Sequence, residues 1–549
     1  MCVTQKAHIT IEMTEVNTQE NISETTPIDS PSPGTVSKFD DVFQYVNSFG
    51  FYQRILYVGV NLLVVPLSLQ FALLVFAMGT PNFHCSDENS TCPQSKCCDN
   101  CTSYTFDGPF TSIVSEWNLI CDNAHKGAAV QSCFFAGMLV GSMVGGWASD
   151  RFGRRLCLLV GSAIMLILSF GTAFADCLSL LAFLRFGVGV AHVSVMVCQY
   201  VYVIELVGPK TRTMSGKVQD LFWDIGDVMT FVCAYFIREW RMLILCCTLF
   251  FVPFFLFWRV FPDTARWLIS QGRQDQAREV LIKYGGKKKT PLDSDHLKAM
   301  IESIYSEEKK ELEYLNGKNH TALDLFRTPK LRKLTLILCF NWFVISLVSF
   351  GMYLYITALA GNLYVNYLVM ALLSMPQLLF SWFLMQKFGR IFPFMGYMLL
   401  AGVLCLVVMG IPKEYSAVVT GLTIFGMSLV SCAFNNIYLL SSEQFPTVVR
   451  NIGMGTGSMC ARVGAILSPF LVMLAQLQGF SLTFPVSIFG VLAVLAAFSS
   501  LWLPETLNTS LPQTIDELEK SPGHVWISCF KLRSNKPLVQ ADGGNADVA

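Results

Sequence analysis

The sequence predicts an all-α membrane protein of twelve transmembrane helices, arranged as two six-helix pseudo-repeats with both termini cytoplasmic. Composition, apolar segments of bilayer length and a weak internal repeat carry that reading. Of 549 residues, 53% are hydrophobic and 14% charged, against about a quarter charged in ordinary soluble domains. Mean hydropathy is +0.49. A water-soluble fold cannot hide so much apolar surface, so lipid must solvate most of it. Formal net charge is zero and no basic block is interleaved with aromatics, which argues against a nucleic-acid partner. No Ser/His/Asp set, metal-spaced His/Cys group or phosphate-binding Gly-rich loop is placed for catalysis. The chain therefore reads as neither enzyme nor ATP-driven pump, with no cofactor beyond a coupling ion (sodium or proton) or a counter-exchanged organic ion.

Twelve apolar segments lie near 55–78, 126–148, 156–175, 181–204, 217–237, 242–261, 333–357, 364–385, 393–411, 416–440, 452–475 and 480–502. Each approaches the roughly 20 residues that cross a hydrocarbon core. Residues 1–40 are polar, carry no signal-peptide pattern and read as a disordered cytoplasmic tail. The remaining parts are a first half at 41–261, a cytoplasmic linker at 262–332, a second half at 333–503 and a tail at 504–549.

Loop charge sets the orientation. Arg151, Arg154 and Arg155 follow the second span, and Lys287, Lys288 and Lys289 lie in the linker, so these segments face the cytoplasm. The 79–124 loop has few bases and faces outward. Six of the 19 cysteines (Cys85, Cys92, Cys97, Cys98, Cys101 and Cys121) fall in that loop. An oxidising exterior implies up to three disulfides of undetermined connectivity, with a zinc site as the alternative. The sequons at Asn89 and Asn100 are candidate glycan acceptors there.

The halves echo each other about 240 residues apart. Gly153-Arg154 has a counterpart in Gly389-Arg390. Glu205-Leu-Val-Gly-Pro-Lys-Thr-Arg212 matches Glu443-Gln-Phe-Pro-Thr-Val-Val-Arg450, and Pro262-Asp-Thr matches Pro504-Glu-Thr. Two related six-helix halves predict a site at the midplane between them and movement by alternating access. Acids and bases at the cytoplasmic mouth (Asp150, Arg151, Arg154, Arg155, Glu205, Arg212, Glu443 and Arg450) are gating candidates, since ion pairs between them can close the inner gate. Ordinary positive-inside anchoring accounts for Arg151 and Arg155 equally well.

These motifs resemble the major facilitator superfamily, and within it the organic cation, organic anion and carnitine transporter family. The resemblance spans about residues 40–510. It rests on the Cys-rich loop ending Phe110-Thr-Ser-Ile-Val-Ser-Glu-Trp117-Asn-Leu-Ile-Cys121-Asp, on Asp150-Arg-Phe-Gly-Arg-Arg155, on Pro262-Asp-Thr-Ala-Arg-Trp267-Leu-Ile-Ser-Gln-Gly272-Arg273 and on Glu443-Gln-Phe-Pro-Thr-Val-Val-Arg450-Asn. Two departures are Asp263-Thr264, where the family usually has Glu-Ser, and a short first outer loop. The Pro-Glu-Thr-Lys-Gly ending of sugar carriers is replaced by Pro504-Glu-Thr-Leu-Asn508, which disfavours a sugar. The resemblance implies a multi-pass plasma-membrane protein, monomeric or weakly oligomeric, with a small organic ion as substrate.

A charge within a span is costly and marks a functional candidate. Arg462 lies midway along the eleventh span, where the resemblance implies aspartate in cation carriers and arginine in anion and carnitine carriers. Its planar fork suits a carboxylate, unless a neighbouring acid pairs it permanently. Ile345 and Ser374 stand where cation carriers tend to place acids. Gln377 stands where many anion carriers place lysine, which favours a monocarboxylate. Asp224 and Asp227 share one helical face. They are placed to meet the ammonium of a carnitine-like zwitterion, to relay a proton or sodium, or to neutralise Arg462. Trp223, Trp342, Phe350, Tyr353, Phe434 and Tyr438 would give the cavity aromatic walls. His192, Gln199 and Tyr200 are weaker candidates. The expected function is secondary transport of small organic anions or zwitterions; a polyspecific cation carrier using Asp224 and Asp227 is the alternative.

Overall fold

A computed structural model of the chain describes residues 39–86, 95–98, 101, 103–256, 258–285, 294–316, 321–477, 480–507 and 512–520. Helix α1 (Phe51–Asn61) runs almost directly into α2 (Val64–Phe76). The Cys-rich loop contributes strands β1 (Phe83–Cys85) and β2 (Tyr104–Phe106), paired antiparallel, and the single helical turn α3 (Ile113–Glu116). Next come α4 (Ala124–Phe152), α5 (Arg154–Ala173), α6 (Leu178–Leu206), α7 (Pro209–Phe236), α8 (Trp240–Leu249) and α9 (Val252–Leu256). The linker holds α10 (Ala265–Ser270), α11 (Gln274–Gly285) and α12 (Ser294–Asn316). Then follow α13 (Pro329–Tyr355), α14 (Leu363–Phe388), α15 (Ile391–Gly410), α16 (Ser416–Gln444), α17 (Arg450–Met473), α18 (Phe484–Ser500) and α19 (Ile515–Lys520).

Among the described residues, nine helices are long and apolar enough to cross a bilayer. Two shorter apolar helices, Trp240–Leu256 and Phe484–Ser500, occupy the positions of the sixth and twelfth apolar segments. Helix α7 fills the fifth. It starts at Pro209, well before the apolar segment at 217, because a proline at the first helical position opens it. Lys210, Arg212 and Lys217 keep its first turns polar. Close helix contact is bought with glycine: a Cβ at Gly137 or Gly141 of α4 would strike the carbonyls of Phe186 or Val190 on α6, and one at Gly189 would strike that of Phe134. Helices α4–α9 pack with α1 and α2, and α13–α18 pack together. These two bundles meet where α4 lies against α17 and α7 against α14.

On the loop side, Cys85 is bonded to Cys101 and Cys97 to Cys121. Cys98 is also disulfide-bonded; Cys92, Asn89 and Asn100 lie outside the described residues. Glu116 ties the loop to α8. Its carboxylate accepts from Trp240 Nε1 at 2.7 Å and Arg241 Nη2 at 2.6 Å, and Arg241 stacks over the Trp240 ring at 4.6 Å. Burial alone would raise the Glu116 carboxyl, but the hydrogen bonds from Arg241 and Trp240 and the Arg241 charge outweigh it and hold the group below its ordinary value.

On the linker side, each bundle carries the same clamp. Arg154 forks onto Glu205, Nε to Oε2 at 3.1 Å and Nη2 to Oε1 at 2.9 Å. Thr264 Oγ1 donates to Glu205 at 2.5 Å. In the second bundle Arg390 grips Glu443 through Nε at 3.1 Å, and Thr506 Oγ1 donates to Glu443 at 2.6 Å. The preceding glycines, Gly153 and Gly389, have φ of +96° and +94°, a backbone shape that glycine adopts freely. That turn aims an amide one or two residues on at an acid. Arg155 N donates to Asp263 Oδ1 at 2.9 Å, and Arg390 N to Glu505 Oε1 at 2.8 Å. Asp150 joins Arg154 at 3.1 Å from an exposed position.

Several expectations are corrected by this arrangement. The ion pairs considered for the gating candidates fall within each bundle, Glu205 with Arg154 and Glu443 with Arg390. Arg450 meets no carboxylate among the described residues: its guanidinium reaches the Phe445 carbonyl and Thr447 Oγ1, because Arg390 already occupies Glu443. Arg212 pairs with Asp40 at 2.8 Å, so the stretch expected to end disordered at residue 40 is ordered by 39–44. Arg151 lies over Trp147 and Arg155 over Trp258. The tail beyond 504 also includes structure: α19 docks where Glu519 accepts from the Lys330 and Leu331 amides at 2.9 and 3.3 Å.

Two outcomes are expected. Arg154→Ala leaves Glu205 buried without its cation, a loss of about 3–5 kcal/mol, read as a large fall in thermal midpoint of the solubilised protein. Arg390→Ala falls less, because that pair is more exposed. Because Glu116 ionises more readily folded than unfolded, the stability it adds is present at neutral pH and fades as pH falls through the carboxylate range. Glu116→Gln should flatten the decline in midpoint between about pH 7 and about pH 4; an unchanged decline would refute the assignment.

Candidate functional site

A cavity of about 280 Å³ lies between the bundles, lined from α2, α4, α6 and α7 on one side and α13, α14, α16 and α17 on the other. Its walls are mostly aromatic and aliphatic. Phe71 sits at their centre, with ring centroids 5.7 Å from Trp223, 5.6 Å from Phe350 and 5.3 Å from Tyr353. Phe350 continues to Phe434 at 5.9 Å, and Phe434 to Tyr438 at 5.9 Å. The Phe71–Phe350 and Phe71–Tyr353 contacts cross from one bundle to the other, so the wall is shared between them.

The polar groups fall into two sets. Arg462 reaches the cavity from α17 and forms no hydrogen bond or ion pair with any described residue; its Nε is buried without a partner. The other set is acidic. Asp220, Asp224 and Asp227 line the cavity from α7 and, spaced by four and three residues, form one stripe. Asp224 Oδ1 accepts from Ser374 Oγ at 2.7 Å. Asp227 Oδ1 accepts from Ser68 Oγ at 2.8 Å and from Tyr367 Oη at 3.0 Å. Neither of these two carboxylates pairs with Arg462, so the permanent internal ion pair considered from the sequence is not formed here.

Trp223, Asp224, Asp227, Phe350, Tyr353, Gln377, Phe434, Tyr438 and Arg462 all line the cavity. Trp342 does not. Its indole N–H is taken by Ser441 Oγ at 2.9 Å, and its ring covers Gly457, where a Cβ would fall 2.6 Å from Trp342 Cδ1. It is a packing residue behind Tyr438, whose ring it meets at 4.6 Å. Gln377 donates to the Ser428 carbonyl and to Cys432 Sγ, leaving Oε1 unpartnered. Gln199 is bonded to Asn61 and Gln219, and Tyr200 is exposed and is not one of the lining residues. His192 is more prominent than expected: it lines the cavity, is fully buried, and neither ring nitrogen has a protein partner.

Asp220 was missed from the sequence, although its spacing to Asp224 and Asp227 was visible. It lies three residues after Lys217, where the apolar segment seemed only to begin. Taken together, the cavity offers an unpaired guanidinium, an acidic stripe and stacking surfaces. That combination can hold a flat or bulky ion by its charged end.

The family profile described as "Sugar (and other) transporter" matches residues 62–517. The chain is 30% identical over 520 residues to the organic cation transporter protein of Drosophila melanogaster, covering 88% of this chain and 94% of that one. It is 32% identical over 431 residues to the human organic cation/carnitine transporter 2, covering 78% and 75%. Among solved structures, the inward-open xylose transporter XylE from E. coli superimposes with a TM-score of 0.58 at 16% identity, covering 85% of this chain and 98% of XylE, which speaks to fold alone. A family match over most of the chain, near-full-length relatives and a shared fold converge: the chain is a multi-pass solute transporter of the major facilitator superfamily and belongs to its organic cation, organic anion and carnitine transporter family.

Proposed function

We propose that the protein is a secondary carrier of small organic anions or zwitterions, a monocarboxylate or a carnitine-like betaine, in the plasma membrane. It works by alternating access, with twelve spans, both termini in the cytoplasm and the Cys-rich loop outside, carrying glycans at Asn89 and Asn100. The observation that carries this reading is Arg462. A guanidinium in a largely apolar cavity, without a protein counter-ion among the described residues, is costly unless a ligand neutralises it. A carboxylate fits its fork. Trp223, Phe350, Phe434 and Tyr438 would then cover the rest of the solute, with Asp220 and Asp224 placed for an ammonium. The linker-side clamps, Arg154–Glu205 and Arg390–Glu443, would act as gating elements within each moving bundle.

A cation carrier is the second reading, and the acidic stripe on α7 favours it, as does the similarity to organic cation transporters. Uptake separates the two. Arg462→Ala should reduce uptake of a labelled monocarboxylate or betaine by roughly tenfold or more, the scale of a lost hydrogen-bonded charge. Arg462→Lys should restore only part of it, since an ammonium lacks the planar fork. Uptake confined to a quaternary ammonium without a carboxylate, and unchanged in Arg462→Ala, would reject the anion reading.

A further inference from the structure

We propose that Asp227 is a proton-binding site whose charge state controls the seam between α7 and α14. The proposal rests on the carrier reading above but not on which solute is carried. Asp227 is buried, and its Oδ1 collects two hydroxyl donors from different bundles: Ser68 of α2 at 2.8 Å and Tyr367 of α14 at 3.0 Å. Tyr353 of α13 extends the chain, its hydroxyl 3.1 Å from that of Tyr367. One turn along α7, Asp224 takes the Ser374 hydroxyl of α14 at 2.7 Å. Two rungs of carboxylate and hydroxyl therefore join α7 to α14. Separate loop-side bonds also join the bundles, Gln476 Nε2 to Thr80 Oγ1 at 2.9 Å and Lys96 Nζ to the Phe480 carbonyl at 2.6 Å.

The strength of these rungs depends on charge. Hydrogen bonds to an ionised carboxylate are about twice as strong as neutral ones. A proton arriving from cavity water onto Asp227 forms an O–H bond, removes the negative charge and turns the Ser68 and Tyr367 contacts into neutral ones; its departure to water reverses this. The ionised form thus holds the loop-side seam shut, and the protonated form lets it open. Other titratable groups facing this region are Asp220 and Asp224 on α7 itself, His192 from α6, Tyr353 from α13, Tyr438 from α16 and Arg462 from α17, together with Tyr367 from α14. Of these, Tyr367 hydrogen-bonds to Asp227. Ser68 and Tyr367 serve as donors to Asp227 Oδ1, a role that suits a proton-binding carboxylate better than a metal site, whose ligands offer lone pairs.

The experiment needs no solute. A membrane-impermeant thiol reagent is added on whichever side labels the exposed Cys177, which settles orientation separately. Labelling of Ala128→Cys, on the small loop-side vestibule of α4, is then timed in a Cys177→Ser background. We expect labelling to accelerate as pH falls. Asp227→Asn should label fast at every pH, roughly tenfold above its parent at neutral pH. Tyr367→Phe, which removes one donor and no charge, should label at an intermediate rate and guards against misfolding of the first variant. Parental rates or an undiminished pH slope in both variants would overturn the proposal. So would labelling that follows replacement of sodium by choline at fixed pH. Loss of carboxylate uptake in Arg462→Ala, or its persistence, bears on the solute alone.

Discussion

Two arginine–glutamate forks, one per bundle, hold the linker-side ends of the helices, and the rest of the architecture depends on them. Arg154 and Glu205 are both buried, as is the Thr264 that completes their cluster. Charge placed there is tolerated only because each partner cancels the other and the remaining lone pairs are satisfied. The consequence is rigidity. The helix ends at Gly153 and Gly389 are pinned in identical turns, so each bundle resists internal shear. The interface between the bundles is held differently, by hydroxyls on carboxylates and by tilted aromatic rings.

The cavity inherits its character from that division. One bundle supplies three carboxylates on α7, and the other supplies Arg462 on α17, so opposite charges sit on opposite sides of the seam between the bundles. Aromatic contacts such as Phe71 with Phe350 bridge the same gap. Rings tolerate sliding better than directional hydrogen bonds do, because their attraction varies gently with offset. A solute held between the bundles would replace part of this contact and bias which pairing of surfaces is favoured.

Much of this was legible in the sequence because lipid imposes simple rules. Segment length and loop charge marked the helices, and the repeat at Gly153 and Gly389 marked the clamps. What the sequence could not convey was pairing. Nothing in the pattern says that Glu443 belongs to Arg390 rather than to Arg450, since the choice is made by a glycine turn that swings one guanidinium inward. Trp342 illustrates a second limit. It lies on a cavity helix, but whether a ring faces the cavity or the neighbouring helix depends on a small residue across the contact, here Gly457. Asp220 shows a third: hydropathy finds the apolar edge of a helix, whereas α7 continues inward from a polar first turn. The short helices 240–256 and 484–500 were legible only as apolar stretches.

The docking of α19 has a practical side. Glu519 supplies the acceptor that the first turn of α13 lacks, since the leading amides of any helix have no partner within it. Leu518 anchors the same segment in the apolar core. An affinity tag or fluorescent fusion appended after residue 520 would leave this plug seated. Trimming the chain back to 511 would strip it away and leave those amides bare, so expression variants shortened for crystallography or imaging would begin with a weakened second bundle.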